Sequence, residues 1–277
     1  TGRLYGWGLN TKNQLGDSSG AAYGSYVAAP RLLQVTNLGE PLAKKRVISG
    51  ATGSEFSMAL TDDGRVWIWG DNSRGQLGDG TTTLTDRYHA RQVKGPLFRT
   101  AIKSIAASKA TAFAIDEYGV LWSWGDNREK QLGTNITVAL QSTPAPVTSL
   151  SNVTSIHAGI WTEAMVAITA DGMAYAWGNN KYDHIGVFSS NALLAAPVPI
   201  YREPDQQRHL VFQSIGATHS LMLYNGTYCD GVLSDDETVC SFRGVCIGDN
   251  DCACENGYTG SNCSIATCFG LESTDPL

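Results

Sequence analysis

Cysteine is the residue type in this chain whose spacing points most directly to a chemistry. All seven cysteines lie at or after Cys229, and six of them follow the spacing C-x10-C-x5-C-x5-C-x-C-x8-C, which ends at Cys263. A unit of about 35 residues buries too little apolar surface to fold on apolar contacts alone. Disulfides supply the difference, typically about 2–4 kcal/mol each. These cysteines can pair in many ways, and their spacing does not choose among the pairings.

Zinc binding is the alternative use of clustered cysteines. Cys252 and Cys254 form a tight pair, but neither a second such pair nor a histidine lies at finger-like spacing. Asp249, Asn250 and Asp251 are interpreted as a solvated turn rather than as calcium ligands. The segment is therefore predicted to form disulfides and to hold no metal and no cofactor.

The remaining residues of catalytic type do not form a constellation. Gly16 to Gly20 matches G-x-S-x-G around Ser18, but that chemistry needs a strained strand-to-helix turn, and here the string follows Leu15 in a loop. The five histidines have no mutual spacing that would pair them as metal ligands: His89, His157, His184, His209 and His219. No glycine loop of either nucleotide-binding pattern is present. The sequence predicts a protein that is not an enzyme.

The elements that would position binding residues recur along the chain. The stretch from Leu60 to Gly78 combines an Asp-Gly turn, a β-branched and aromatic strand, and a loop closed by Gln-Leu-Gly. In its strand, Trp67 and Trp69 point to one face, because side chains alternate along a strand. The corresponding Trp-Gly pairs begin at Trp7, Trp69, Trp124 and Trp177, in steps of 62, 55 and 53 residues.

Two further segments complete each repeat. One usually carries proline near its start and is predicted to be an edge strand, because proline lacks the N–H that a central strand donates. The copies are Pro30–Val35, Ala90–Val93, Pro144–Val147 and Pro197–Ile200, of which Ala90–Val93 lacks the proline. The other begins with isoleucine and small residues and is predicted to be innermost; the copies are Ile48–Leu60, Ile105–Ile115, Ile156–Ile168 and Ile215–Leu223. Four strands in a period just over 50 residues predict β-propeller blades, with the Trp rows packed between blades rather than exposed as stacking platforms.

These spaced elements resemble the regulator of chromosome condensation repeat family along residues 1–223. The family pattern contains a His-Ser pair, here called the His-Ser step, which is present as His219-Ser220. In the other repeats the corresponding pairs are assigned as Phe56-Ser57, Thr111-Ala112 and Glu163-Ala164. The family fold is usually a seven-bladed propeller, and about four blades are counted here. The fold prediction is all-β, with about four four-stranded blades forming an incomplete arc. The alternative is a closed ring in which Leu4–Gly8 pairs with Ile215–Leu223.

The cysteine-rich segment resembles an epidermal-growth-factor-like (EGF-like) module, through its six cysteines together with Gly257, Tyr258 and Gly260. The resemblance implies the pairs Cys229–Cys246, Cys240–Cys252 and Cys254–Cys263, and a module of the kind that does not bind calcium. Cys268 resembles the first cysteine of a second, truncated module. The predicted domains are therefore propeller repeats at 1–224, an EGF-like module at 225–264 and the start of another at 265–277.

Disulfide-rich modules persist in oxidising surroundings, so the predicted location is extracellular or at the cell surface. Asn135, Asn152 and Asn225 each begin an N-x-Thr glycosylation triplet. Residues 1–228 carry 17 acidic and 19 basic residues, without the basic stripe typical of nucleic-acid binding. No apolar run approaches the ~18 residues of a membrane span, so a membrane contact would need a segment absent from this chain. A signal peptide is expected to be absent or already removed.

Two long connections carry the candidate ligand-binding residues. Tyr23 and Tyr26 lie in one, and Tyr201, Arg202 and Arg208 lie in the other; tyrosine and arginine are frequent interface anchors. The predicted function is non-enzymatic recognition or adhesion, with the propeller binding a protein or a surface glycan and the EGF-like modules as a stalk. Three alternatives stay open: nucleotide exchange on a Ran-like small GTPase, inhibition of a secreted enzyme, and glycan processing by paired carboxylates.

Overall fold

The computed structural model describes residues 4–16, 26–32, 45–83, 90–159, 163–187, 189–200, 209–215, 220–225, 228–229, 232–233, 244–248, 251–254, 258–259, 263, 265–268 and 271–272. The chain divides into two compact units, residues 1–201 with 213–221 and residues 202–212 with 222–277. The described residues are all-β apart from one 3-10 turn at Gly95–Phe98. They contain no helix of the length and apolar character needed to cross a bilayer.

Antiparallel sheets of the blade type make up the first unit. Blade I contains β1 (Tyr5–Leu9) and β2 (Tyr26–Leu32). Blade II contains β3 (Val47–Thr52), β4 (Phe56–Thr61), β5 (Val66–Gly70) and β6 (Arg91–Gln92). Blade III contains β7 (Ile102–Ala107), β8 (Thr111–Asp116), β9 (Leu121–Asp126) and β10 (Leu140–Pro146). Blade IV contains β11 (Val153–Ala158), β12 (Ala164–Thr169), β13 (Ala174–Asn179) and β14 (Leu193–Pro199). Blades II, III and IV are complete, each with its four strands in sequence order.

Short strand pairs follow the complete blades. β15 (His209–Ile215) pairs with β16 (Ser220–Asn225) in a separate two-stranded sheet, so β1 and β16 belong to different sheets. The second unit continues with β17 (Tyr228–Cys229), β18 (Val232–Leu233), β19 (Gly244–Gly248), β20 (Asp251–Cys254), β21 (Tyr258–Thr259), β22 (Ile265–Cys268) and β23 (Leu271–Glu272). Cys252 and Cys263 are both disulfide-bonded. The three specific cysteine pairings and the boundary after residue 224 stay predictions.

The predicted inner and outer strands occupy the predicted positions but have different bounds. Each inner segment is a hairpin of two strands, not one strand: Ile48–Leu60 spans β3, a turn at Gly53, and β4. The outer strands begin before their prolines, as in β10, where the register with β9 shifts between Gln141 and Ala145. A proline can lie within an edge strand because no strand on the outer side needs a hydrogen bond from its missing N–H.

The core lies between blades as well as within them. Every residue of β5 and β8 is buried, with no alternation, because a neighbouring blade covers each face of the sheet. Trp69, Trp124 and Trp177 are at most 1% exposed, as expected for packing between blades. Trp7 in blade I differs, with 60% of its surface exposed.

The strand register corrects one predicted correspondence. Ser57 lies opposite Trp69 and Ala112 opposite Trp124, whereas Met165 lies opposite Trp177. The blade IV counterpart of the His-Ser step is therefore Ala164-Met165, and Glu163 lies one position earlier than predicted. The turn that precedes Ala164 is two residues longer than its counterpart in blade II.

Candidate functional site

The candidate binding surface is the end of the blades that carries the long loops between third and fourth strands. We call it the loop face and define it as residues 53–55, 71–83, 108–110, 126–139, 163, 179–187 and 189–192. Backbone hydrogen bonds join its inner turns to its loops: Asp71 N donates to Glu55 O at 2.9 Å, and Asn179 N donates to Glu163 O at 3.2 Å. The same bond in blade III runs from Asp126 N to Ala110 O at 3.0 Å.

An asparagine organises each loop from inside. The side-chain oxygen of Asn72 accepts a hydrogen bond from Leu77 N at 3.1 Å, and its Nδ2 donates to Thr81 O at 3.2 Å. In blade III, Asn127 accepts from Leu132 N at 3.2 Å and donates to Val138 O at 2.8 Å. One buried amide thus satisfies both ends of a loop whose backbone would otherwise lack partners.

A tryptophan of the following blade then fixes the loops of blades I, II and III. The indole Nε1 atoms of Trp69, Trp124 and Trp177 donate to the backbone oxygens of Gln14, Gln76 and Gln131 at 2.9, 2.8 and 2.9 Å. The glycine that closes each loop lies beneath the indole, and a Cβ built on Gly133 would lie 2.7 Å from Trp177 Nε1. Only glycine fits there, since its φ of +69° is also left-handed. We call this contact the tryptophan clamp.

The sequence analysis predicted neither the asparagine hydrogen bonds within the loops nor the tryptophan clamp, although a recurring spacing indicated both. The spacing from Asn10 to Gln14 recurs from Asn72 to Gln76 and from Asn127 to Gln131, each followed by Leu-Gly. We interpreted those residues as a loop closure, not as the acceptors of a neighbouring indole.

Blade IV departs from the pattern at His184, which occupies the glutamine position. Ser220 Oγ donates to His184 O at 2.6 Å, as Ser57 Oγ does to Gln14 O at 2.6 Å. His184 is 6% exposed, and within the described part of the chain neither of its ring nitrogens has a hydrogen-bond partner. Burial lowers the pKa of His184, and Asp183 opposes that effect.

Carboxylates on the loop face are matched by polar or cationic neighbours. Arg128 contacts Asp126 through Nε and Nη2, the latter 2.6 Å from Oδ2. Asp71 accepts from Gln76 Nε2 at 2.9 Å and from the Ser73 hydroxyl, and Lys12 Nζ lies 3.9 Å from it. These groups hold the loops in shape and do not form a pair of converging acids.

Glu163 is the most unusual of these carboxylates. Its φ is +53°, its surface is 8% exposed, and its Oε1 has no hydrogen bond among the described residues. Lys109 Nζ lies 3.9 Å from Oε1 across the junction of blades III and IV. Burial raises the pKa of Glu163; Lys109 opposes that shift, whereas Asp126 and Glu129 add to it.

The exposed part of the loop face is aromatic and basic near blades III and IV. Tyr182 is 58% exposed, with Lys181 Nζ lying 5.5 Å from its ring centroid. Arg128 and Lys109 keep 47% and 53% of their side-chain surfaces exposed while they contact Asp126 and Glu163. A surface of this kind presents hydrogen-bond donors and a flat ring to a partner.

The structure places only some of the predicted site residues. Tyr26 is the first residue of β2, opposite Leu9, rather than a residue of a connecting loop. Tyr23, Tyr201, Arg202 and Arg208 lie outside the described residues, as do Ser18, His89 and His219, so their roles stay predictions. Asn225 lies in β16.

Two glycosylation triplets lie on described turns. Asn135 and Asn152 are both exposed and have positive φ angles of 56° and 52°. Within the described ranges, no three His, Cys, Asp or Glu residues cluster as metal ligands. His157 is half-buried on β11, and burial lowers its pKa.

Family models match both parts of the chain. The model for the regulator of chromosome condensation (RCC1) repeat matches residues 1–60, 63–115 and 118–162, and a related model for the same repeat matches residues 47–76. The chain belongs to the RCC1 repeat family. A Teneurin-like EGF domain model matches residues 237–266, in agreement with the predicted EGF-like module.

Relatives agree with this assignment over the propeller repeats. The chain is 30% identical over 230 residues to the RCC1 domain-containing protein RUG3, mitochondrial, of Arabidopsis thaliana, covering 80% of this chain and 49% of that protein. It is 28% identical over 215 residues to protein pim1 of Schizosaccharomyces pombe, covering 71% of this chain and 37% of that protein. The chain therefore spans half or less of these relatives.

Solved structures share the fold. Yeast RCC1 (Prp20), solved with Kap60 bound, matches with a TM-score of 0.65 at 22% identity, covering 80% of this chain and 50% of that one. Human WBSCR16 matches with a TM-score of 0.65 at 20% identity, covering 83% and 60%. At these identities the likeness establishes a propeller of RCC1 type, and function has to be argued from the site.

Proposed function

We propose that this chain is a non-enzymatic recognition protein that acts outside the cell, with the loop face as its protein-binding surface and the EGF-like module as a spacer. The observation that carries the proposal is the loop face itself: the loops of blades II and III are fixed from inside by asparagine and from the next blade by tryptophan. Binding residues commonly lie on loops held by a rigid scaffold. The fixed loop of blade III presents Arg128, and the blade IV loop, which is held by Asn180 and by the hydrogen bond from Ser220 to His184 O, presents Lys181 and Tyr182. These residue types are favoured at interfaces or able to pair with acidic groups.

The partner on this surface is a protein with acidic groups next to an apolar patch. Lys181 and Arg128 would meet the acidic groups, and the exposed Tyr182 ring would meet the patch. Protein binding also agrees with a solved relative, since yeast RCC1 was crystallised with Kap60. The described loop face has no aromatic pair that would clasp a sugar between two rings, so the protein partner is favoured there over a glycan.

The extracellular location is supported by the second unit. Cys252 and Cys263 are disulfide-bonded, and residues 237–266 match a Teneurin-like EGF domain. Disulfide-stapled modules are rare where glutathione keeps thiols reduced. The relative RUG3 is described as mitochondrial, so the proposed location of this chain differs from that of a protein with which it shares the propeller.

Binding to intact cells tests both parts of the proposal. We expect the labelled, disulfide-bonded chain to bind saturably, and the double variant Lys181→Glu with Tyr182→Ala to weaken binding by about tenfold or more, as for interface anchors. Tyr118→Ala is the matched control, because Tyr118 is 74% exposed but lies in the β8–β9 turn at the other end of the strands. Equal losses in both variants, or binding without saturation, would overturn the proposal.

Nucleotide exchange on a Ran-like GTPase is the second candidate. It is favoured by a solved relative, yeast Prp20p, whose structure is described with its binding to Gsp1p and histones. The test is release of labelled GDP from such a GTPase. Acceleration by the chain would favour exchange, and an unchanged rate beside saturable cell binding would favour extracellular recognition.

A further inference from the structure

A small cleft opens in blade IV at the end opposite to the loop face. Its volume is about 160 Å³, and it lies between the connection from β10 to β11 and the β12–β13 turn. Its lining is mostly polar: Ser149, Ser151, Asn152, Thr169, Asp171 and the ring of Tyr175. This volume is below the roughly 300 Å³ of pockets for drug-sized ligands, so it suits one sugar ring rather than an extended chain.

The other blades show what fills this corner elsewhere. Tyr175 lies opposite Ala167, as Trp122 lies opposite Ala114 in blade III. Trp122 Nε1 donates to Asp116 Oδ2 at 3.0 Å. Blade IV has the smaller tyrosine ring, so the space occupied by the indole in blade III is partly open.

The strand connection also contributes to the opening. In blade II, Lys45 Nζ lies 2.7 Å from Asp63 Oδ2 and closes the corner between connection and turn. Lys45 lies two residues before β3, and the residue two before β11 is Ser151. A hydroxyl thus replaces a long ammonium side chain, and Thr169 Oγ1 donates to Asp171 Oδ1 at 2.5 Å on the facing turn.

Asn152 lines this cleft and begins the triplet Asn152-Val153-Thr154. We propose that Asn152 carries an N-linked glycan whose first N-acetylglucosamine packs in the cleft against Tyr175. The inference rests on the proposed extracellular function, since glycan addition requires the secretory route. Asn152 is exposed with a φ of 52°, and Val153 N donates to Gly119 O at 2.9 Å, so a fixed backbone carries the attachment point.

In the attachment reaction, the cell's glycosyltransferase transfers an oligosaccharide from a lipid pyrophosphate to the side chain of Asn152. Asn152 Nδ2 forms a bond to the anomeric carbon, that carbon's bond to the pyrophosphate oxygen breaks, and the amide nitrogen loses one proton. The lipid pyrophosphate leaves with the electron pair of the broken bond.

The chemistry of the cleft matches the attached sugar. The apolar C–H face of a pyranose packs against an aromatic ring, while the Ser149 and Ser151 hydroxyls can donate to or accept from its polar substituents. Because the sugar is tethered, the contact is intramolecular and has a high effective concentration. A contact too weak to hold a free sugar can therefore stabilise the folded chain.

The experiment uses the secreted chain with Thr137→Ala, Thr227→Ala and Ser264→Ala, so that Asn152 has the only remaining N-x-Ser/Thr triplet. Melting temperature (Tm) is compared for the full glycan, a single N-acetylglucosamine left by endoglycosidase, and the fully deglycosylated chain. We expect the single sugar to keep the Tm and complete removal to lower it by roughly 2–4 °C, the scale of a modest change in a domain of this size. Tyr175→Ala should abolish that difference.

The outcomes separate this inference from the proposed function. If the secreted, disulfide-bonded chain leaves Asn152 unmodified, the inference fails and the proposed function stands. If Asn152 is modified but removal leaves the Tm unchanged, the sugar lies in solvent and the inference fails again. If the cell retains the chain with reduced cysteines, both fail. The matched control keeps Thr137 and carries Thr154→Ala, so that Asn135 bears the glycan; deglycosylating it should not change the Tm.

Discussion

The indole N–H of Trp124 leaves its own blade and donates to Gln76 O, so one side chain fixes the loop of the preceding blade. The residue is also fully buried, so it contributes both packing and a hydrogen bond. We expect Trp124→Ala to lower the free energy of unfolding by roughly 3–5 kcal/mol, as for other large-to-small core changes. Trp7→Ala is the matched control, since Trp7 is 60% exposed, and should change it by about 0.5 kcal/mol or less. Urea unfolding gives both values, and equal losses would show that the clamp contributes nothing.

Alanine variants of Gly133 and Gly95 distinguish the cost of a steric clash from the cost of backbone strain, because both glycines have a φ of +69°. A Cβ on Gly133 would lie 2.7 Å from Trp177 Nε1, whereas a Cβ on Gly95 would have nothing within 4 Å. Both alanine variants carry a left-handed cost of about 1–2 kcal/mol. Gly133→Ala should add roughly 1–3 kcal/mol for overpacking. Chemical denaturation of the two variants measures the difference, and a difference near zero would mean that the indole moves away freely.

Buried ionisable side chains at the residue scale also set the pH dependence of stability. Because burial raises the pKa of Glu163, the folded chain binds its proton at a higher pH than the unfolded chain. The stabilising effect of that proton is complete below the unfolded pKa of about 4.3 and is lost as pH rises through the folded value. We therefore expect Glu163→Gln to stabilise the fold more at pH 7 than at pH 4.5, by urea unfolding. Glu55→Gln, at the same position in blade II, is the control. A Glu163→Gln effect that did not vary with pH would contradict the prediction.

The loop of blade IV is the element in which a histidine, His184, replaces the glutamine of the other loops. Burial lowers the pKa of His184, so the unfolded chain binds the proton first. The contribution of His184 to stability is present above the unfolded pKa of about 6.5 and is lost as pH falls below it. His184→Gln restores the residue of the other loops and should reduce the loss of stability between pH 7.5 and pH 5.5.

The control for that prediction places histidine in a loop that has glutamine. Gln131→His puts the imidazole at the same loop position in blade III, where Gln131 is fully buried. It should add a further loss of stability over the same pH range, measured by urea unfolding at both pH values. If neither variant changes the pH dependence, the loop position does not control it.

At the scale of the whole molecule, the two units should respond differently to reductant. All seven cysteines lie at or after Cys229, so reduction can break bonds only within that segment. We expect reductant to speed amide hydrogen exchange in β19 and β20 and to leave exchange at buried Phe113 and Ile115 unchanged. Mass spectrometry of both states counts the bridges. Faster exchange at Phe113 on reduction would show that the propeller depends on the cysteine module.

Local patterns were sufficient to predict the blades. The Asp-Gly turns, the alternating aromatic strands and the proline-bearing outer segments are local, and local sterics decide their conformation. The assignment in blade IV was wrong by one position, because it was not counted back from Trp177: Met165 precedes Trp177 by the same spacing as Ser57 precedes Trp69. The Trp exposures depend on neighbouring blades, since Trp7 and Trp124 have similar local sequences but different surroundings.

The sequence by itself therefore determined the repeat, its strand order and the cysteine-rich module, because turn chemistry and side-chain alternation act over a few residues. Only the tertiary structure decided which atoms join one blade to the next. The acceptor of the Trp177 indole is a backbone oxygen 46 residues earlier in the chain, and backbone oxygens are identical in every residue. The cleft beside Tyr175 depends in the same way on how a strand, a turn and a connection meet in space.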